Sequence, residues 1–317
     1  MTRWSTALTE AGISNPSLRQ DYEAQRRLVR RFKVQEFLAV RLLLPPRLQP
    51  SVIAAVAFMH ETDRRIDVGE MATRRNTLHS WGQQVREAME HGTSEQPTLR
   101  ALADTTQRHP QLSTYVQNFL DGARLEADWT GFEAESDFQA YVDTYSYPAF
   151  MLTASLVAPT APAKRAEAFE RGCRTLIEAM QRTDFLADLS EDAAQGRIGI
   201  PRTELAHFGL EVDDLLHPSS TSAPALEQLV QAQARTIGAG LSACRNLPDL
   251  VTVEHQPFLR AFIRVQELQL EDVQRKGGKL LHEEAGALKP AALKVLLRHY
   301  LTARKQQHRR RRQRRRQ

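Results

Sequence analysis

Apolar residues recur along most of this chain at three- and four-residue steps, the period of a helix with one buried face. The pattern predicts helices over about residues 28–44, 48–67, 74–90, 111–128, 136–157, 163–192, 224–245, 255–275 and 289–304. Breakers fall between them: Pro45-Pro46, Gly92-Thr93-Ser94, Pro159 to Pro162, Pro201, Pro218-Ser219-Ser220, Pro248 and Gly277-Gly278. No segment sustains the two-residue alternation of a half-buried strand, so the expected fold is all-α. No repeat of fixed period is evident, although two short acidic motifs echo each other across the halves. The expected organisation is a flexible leader over 1–16, one helical domain over 17–300 and a tail over 301–317.

Composition supports this picture in one respect and corrects it in another. With 15 Gly and 15 Pro in 317 residues, breakers are too sparse for a strand-and-turn architecture. The net charge of +5 is misleading, because residues 301–317 carry nine Lys/Arg and no acid, which leaves residues 1–300 at −4. Such a like-charged run repels itself and is expected to be disordered. It could attract nucleic acid or an anionic membrane surface, or be solvated without a partner. No nucleic-acid-binding signature accompanies it, so no specific nucleic acid is expected and membrane contact would be weak. The longest apolar run, Val52 to Met59, is too short to span a bilayer. Cys173 and Cys244 form neither a metal spacing nor a disulfide framework, and the N-terminus lacks a signal-peptide core. A cytoplasmic location is expected.

The candidate chemistry lies in aspartates. Asp63-Arg-Arg-Ile-Asp67 closes an apolar helical run, and Asp184, Asp188 and Asp192 form a second ladder with Glu191 beside it. On a helix, such steps of four place carboxylates on one face, with Cβ atoms about 6 Å apart. Fifteen aspartates placed at random would give roughly 0.7 such pairs; the chain has three. An acidic face in solvent gives the same pattern. These ladders, however, continue apolar helices, and stacked like charges are destabilising unless a cation lies between them. Mg²⁺ suits the site, because it takes hard oxygen ligands, keeps waters and completes its shell from phosphate.

The motifs resemble the squalene/phytoene synthase family. Phe37-Leu-Ala-Val-Arg-Leu-Leu-Leu-Pro45, followed by Ala57 to Asp67, is similar to its opening, and Phe132 to Tyr141 to the start of its middle helix. Gln181 to Asp192, then Gly196-Arg197 and Pro201, resembles the second aspartate motif and its exit. The match runs in order over about residues 30–275. The resemblance implies an all-α isoprenoid-synthase bundle in which Asp63, Asp67, Asp188 and Asp192 hold Mg²⁺ at a central cavity. It implies a prenyltransferase acting on an allylic prenyl diphosphate, with Phe37, Tyr141, Gln181 and Asp184 at the substrate; Arg64, Arg65 and Arg197 would supply cations to the diphosphate, or be only surface charges.

Departures from the family pattern bear on the acceptor. His60 and Ala187 stand where the family usually has arginine, and Asp184 where it usually has asparagine. Tyr145-Ser-Tyr147-Pro148-Ala-Phe150 replaces a stretch with two glycines. Tyr145, Tyr147 and Phe150 would floor a shorter pocket, or only pack a core; His60 would act as base or diphosphate contact, or only pair with a carboxylate. Pro148 is expected to kink its helix. These differences resemble the branch that attaches a short prenyl group, such as dimethylallyl, to an aromatic acceptor such as a carbazole in secondary metabolism. The alternatives are head-to-head condensation to squalene or phytoene, cyclisation of one substrate, and an inactive relative serving as a binding protein.

Overall fold

The computed structural model describes residues 3–67, 70–217, 219, 222–286 and 289–314, without the side chains of 67, 71, 72, 289 and 305–314. The chain opens with α1 (Trp4–Glu10), α2 (Pro16–Phe32), α3 (Val34–Leu43), α4 (Gln49–Asp67), α5 (Met71–His91) and α6 (Pro97–Arg108). It continues through α7 (Leu112–Glu126), α8 (Glu135–Tyr141), a π-helical turn (Val142–Ser146), α9 (Tyr147–Ala154) and α10 (Ala163–Ala187). The remainder is α11 (Leu189–Ala194), α12 (Arg202–His207), α13 (Val212–Leu216), α14 (Ala223–Ala243), α15 (Gln256–Lys276) and α16 (Lys289–Arg314). The described residues contain no strand, and one isolated bridge joins Gly131 to Ile198. The all-α expectation holds.

Both ends of the chain carry helix beyond the sequence pattern. Leu8 of α1, and Ile13 just after it, pack with Tyr22, Ala54 and Ala101, all buried. Asn15 then caps α2 by accepting hydrogen bonds from the backbone of Ser17 and Leu18, with Pro16 in the first helical turn. At the other end α16 runs on to Arg314, through residues expected to be disordered.

The apolar run of α4 is buried: Val52, Ile53, Ala54, Ala55, Ala57 and Phe58 are each at most 2% exposed. Ile53 joins Leu176 of α10, Ile237 of α14 and Val273 of α15 in the main core. This core fixes α4 and α10, which carry the two motifs, while α9 touches both of them.

The segment expected to be one kinked helix, 136–157, is divided by the π-turn. A proline at 148 lacks an N–H and crowds the carbonyl of residue 144. The chain widens instead, and the Tyr147 N–H reaches the Val142 carbonyl. The Thr144 carbonyl points at α7, where a Cβ at Gly122 would overlap it and would lie 2.9 Å from Tyr145 Cα. Only glycine admits so close an approach, and it sets the height of Tyr145.

Gly122→Ala is therefore expected to cost about 1–3 kcal/mol, as overpacking does. Gly238→Ala, whose Cβ would meet Leu270 at an ordinary 3.7 Å, should instead stabilise by about 0.4–1 kcal/mol. Urea unfolding of both variants checks the contrast; equal midpoints would remove the close approach from the account.

Candidate active site

A cavity of about 300 Å³ opens between the motif helices, lined by Asp63, Ile66, Glu126, Trp129, Tyr141, Tyr145, Gln181, Phe185, Asp192 and Arg197. Each wall has a local cause. Asp63 lies near the end of α4, where the apolar run gives way to charge. The Tyr145 hydroxyl, placed by the π-turn, donates to Asp63 Oδ1 at 3.4 Å. In the next residue, Ser146 Oγ donates to Gln181 Oε1 at 2.9 Å, tying the π-turn to α10.

The second ladder is not one helix. It was expected to continue to 192, but α10 ends at Ala187 and Asp188, at φ −100° and ψ 11°, joins it to α11. Asp184 and Asp188 thus belong to the end of α10, and Asp192 is carried by a separate short helix. The following loop is held by hydrogen bonds from Ile198 N to Thr130 O (3.2 Å) and from Arg202 N to Phe132 O (3.0 Å). Gly199 lies so close to the Phe185 ring that a Cβ there would overlap it. This packing brings Arg197 beside Trp129, its guanidinium carbon 5.8 Å from the ring centroid.

The aromatic wall is continuous. Trp129 stacks on Phe185 at 5.1 Å, Tyr141 meets Tyr145 at 5.5 Å, and Tyr145 stacks on Phe119 at 5.7 Å. Burial, with the neighbouring Glu126 carboxylate that accepts its hydrogen bond, keeps the Tyr141 phenol protonated.

The carboxylates resist ionisation. Burial, reinforced by Asp188, pushes Asp184 up to about 7, although Gln269 donates to it at 3.0 Å. Loss of hydration, with Asp192, Glu191 and Glu284 nearby, pushes Asp188 up to about 6. Asp192 is raised by burial and by Glu191, against the opposing pull of Arg197. Among the described residues no three such side chains already converge as ligands. Mg²⁺ does not require that, since one or two carboxylates suffice when phosphate and water complete the shell. Hard oxygen donors on two sides of one cavity, held under mutual repulsion, fit the ion.

Of the residues predicted from sequence, the cavity brings together Asp63, Tyr141, Tyr145, Gln181, Asp192 and Arg197, with Asp184 and Asp188 coupled behind Asp192. Asp67 ends α4, and its side chain lies outside the described residues. The other five do not line this cavity. Phe37 is buried in the main core. His60 stacks on Phe32 at 4.6 Å, its buried Nε2 without a hydrogen-bond partner among the described residues. Arg64 is exposed and pairs with Glu61 at 3.3 Å. Tyr147 packs edge-on against Tyr115 and Phe150 against Phe262, which matches the core-packing alternative for these two rings. Ile66, Glu126, Trp129 and Phe185 escaped notice. Glu126 ends α7 and Trp129 follows it in the loop, neither at a carboxylate spacing, while Ile66 and Phe185 are apolar positions inside the two motifs.

Protons compete with a cation for these carboxylates, so Mg²⁺ affinity should be full above about pH 7 and fall as pH drops through about 6. Calorimetric titration across that range checks it, and a flat profile would dissociate the aspartates from metal. Tyr145→Phe, which removes the hydrogen bond to Asp63, should lower Mg²⁺ affinity by about 10–100-fold with the fold intact.

Comparison with known proteins agrees with this architecture. The family model for squalene/phytoene synthase matches residues 32–294. The bifunctional protein CrtB/UppS of Streptomyces coelicolor is 31% identical over 263 residues, covering 83% of this chain and 45% of that protein. Phytoene synthase of Mycobacterium tuberculosis is 31% identical over 205 residues, 62% of this chain and 63% of its own. The chain thus spans less than two thirds of the length of either relative. Among solved structures, squalene synthase HpnC from Alicyclobacillus acidocaldarius superposes with a TM-score of 0.73 at 23% identity, over 84% of this chain and 98% of its own. A dehydrosqualene synthase in complex with ligand gives 0.77 at 21%, over 90% and 98%. These likenesses share the helical fold, and with a family match over most of its length the chain belongs to the squalene/phytoene synthase family.

Proposed function

We propose that this chain is a Mg²⁺-dependent prenyltransferase that ionises an allylic diphosphate and joins its prenyl carbon to a second substrate. The observation that carries this reading is the meeting of Asp63 from α4 and Asp192 from α11 in one aromatic-walled cavity. Asp63, Asp188 and Asp192 are the described side chains that would hold the ion, with Asp67 as the sequence partner of Asp63. Bound there, Mg²⁺ supplies positive charge to the departing diphosphate. Tyr145 fixes the Asp63 carboxylate, and Arg197 offers a planar guanidinium suited to phosphate oxygens. Trp129, Tyr141, Tyr145 and Phe185 exclude water and turn electron-rich rings toward an allylic cation.

For the acceptor, relatives named phytoene synthase and squalene synthase favour a second prenyl diphosphate, joined head to head, over the aromatic acceptor expected from the sequence. The position of Tyr147 and Phe150 outside the cavity lining also weakens the case for a shortened pocket. The aromatic reading retains one specific support. At about 300 Å³, the cavity is at the small end of ligand sites, and its stacked rings suit a flat, neutral acceptor.

Asp63→Asn and Asp192→Asn are each expected to reduce pyrophosphate release by about two orders of magnitude or more while leaving the fold unchanged. Full turnover in chelator, or in the double variant, would sink the mechanism. Product mass then decides the acceptor: a thirty- or forty-carbon hydrocarbon from the longer diphosphates supports condensation, and a prenylated ring supports the second reading.

A further inference from the structure

Helix α16 has two unlike faces. Ala292 and Leu296 are buried, and Val295 and Tyr300 pack with them beside Leu43 of α3 and Ala261 of α15. On the outward side Leu293, Leu297 and Leu301, successive steps of four residues, are 44%, 46% and 57% exposed. Lys294 and Arg298, each one residue beyond a leucine, are exposed next to that stripe. From Lys289 to Gln317 the sequence holds twelve Lys/Arg and no Asp or Glu. At the start of α3, against which α16 packs, Phe32 and Val34 are also about half exposed and are interleaved with Arg31 and Lys33.

We propose that this face of α16 docks on an anionic lipid surface, with the three leucines at the acyl boundary and the cations over the headgroups. Such a surface satisfies both halves of the pattern. A polyanion such as nucleic acid would neutralise the cations and leave the leucines in water. A second copy paired through the same stripe would cover the leucines but bring two basic strips together, with no acid on the helix to offset them. An anionic bilayer offers apolar depth beneath negative charge, the arrangement that interfacial amphipathic helices use.

The test uses the full chain and sedimentation with vesicles of phosphatidylcholine, alone or mixed with phosphatidylglycerol. Binding should require phosphatidylglycerol and weaken with added salt. The Leu293→Gln/Leu297→Gln/Leu301→Gln variant, altered only at exposed positions, should bind at least about tenfold more weakly, since the buried apolar area is lost. Lys294→Gln/Arg298→Gln should also bind phosphatidylglycerol vesicles more weakly, which keeps the test open should the leucine variant fail to fold. Equal binding to both vesicle types, or wild-type binding by both variants, overturns the proposal. So does a micromolar dimer that the leucine variant dissolves, because the stripe would then belong to a second copy.

Discussion

Carboxylates that share a poorly hydrated space must either take up protons or find a cation, and that constraint organises this molecule. Asp184, Asp188 and Asp192 lie close enough to raise one another's affinity for protons, with Asp63 across the cavity. Holding them there costs free energy, which the apolar helices behind them must offset. The run from Val52 to Phe58 anchors one group, and the packing of α10 against α14 and α15 anchors the other. On the function proposed above, a cation bound with a diphosphate would relieve the repulsion that Asp192 and Glu191 impose on Asp188.

The architecture was legible where burial is apolar. The α4 run, α10, α14 and α15 present their hydrophobic faces at helical spacing, and the structure contains them with modest changes at their ends. Helix α2 was read from residue 28 but begins at Pro16, because its buried face includes Asp21, Tyr22 and Gln25. Asp21 pairs there with Arg100 of α6 at 2.6 Å, and the Tyr22 hydroxyl meets Asp104 and Thr105. These polar residues disguise the start of α2, whereas α6 buries Leu99, Ala101 and Leu102 at helical spacing and carries a readable period.

The site was legible to the extent that its chemistry repeats in sequence. Carboxylates at steps of four identify themselves, and the residues around the second motif identify Gln181 and Arg197. Shape does not announce itself in this way. Tyr145, Tyr147 and Phe150 lie within six residues and look equivalent on paper, yet only Tyr145 lines the cavity. The register that separates them is set by Pro148 and Gly122, two residues without functional groups, twenty-six positions apart. Trp129 likewise enters the wall from the loop that follows α7, while Glu126 ends that helix and Phe185 lies on α10 against Gly199 of the loop after α11.

The break at Asp188 has a consequence for how the site could be watched. Asp192 rides on a six-residue helix that buries Leu189 and Ala193 in the main core and whose exit loop is laced to residues 130–132, so its position is held by different contacts from those that hold Asp184 on α10. Trp129 borders that lacing and touches both Phe185 and Arg197. Trp4 and Trp81 are placed apart from it, the former beside Arg41 and the latter donating to Thr62. The indole of Trp129 is thus an intrinsic fluorophore in contact both with α10, through Phe185, and with the loop after α11, through Arg197.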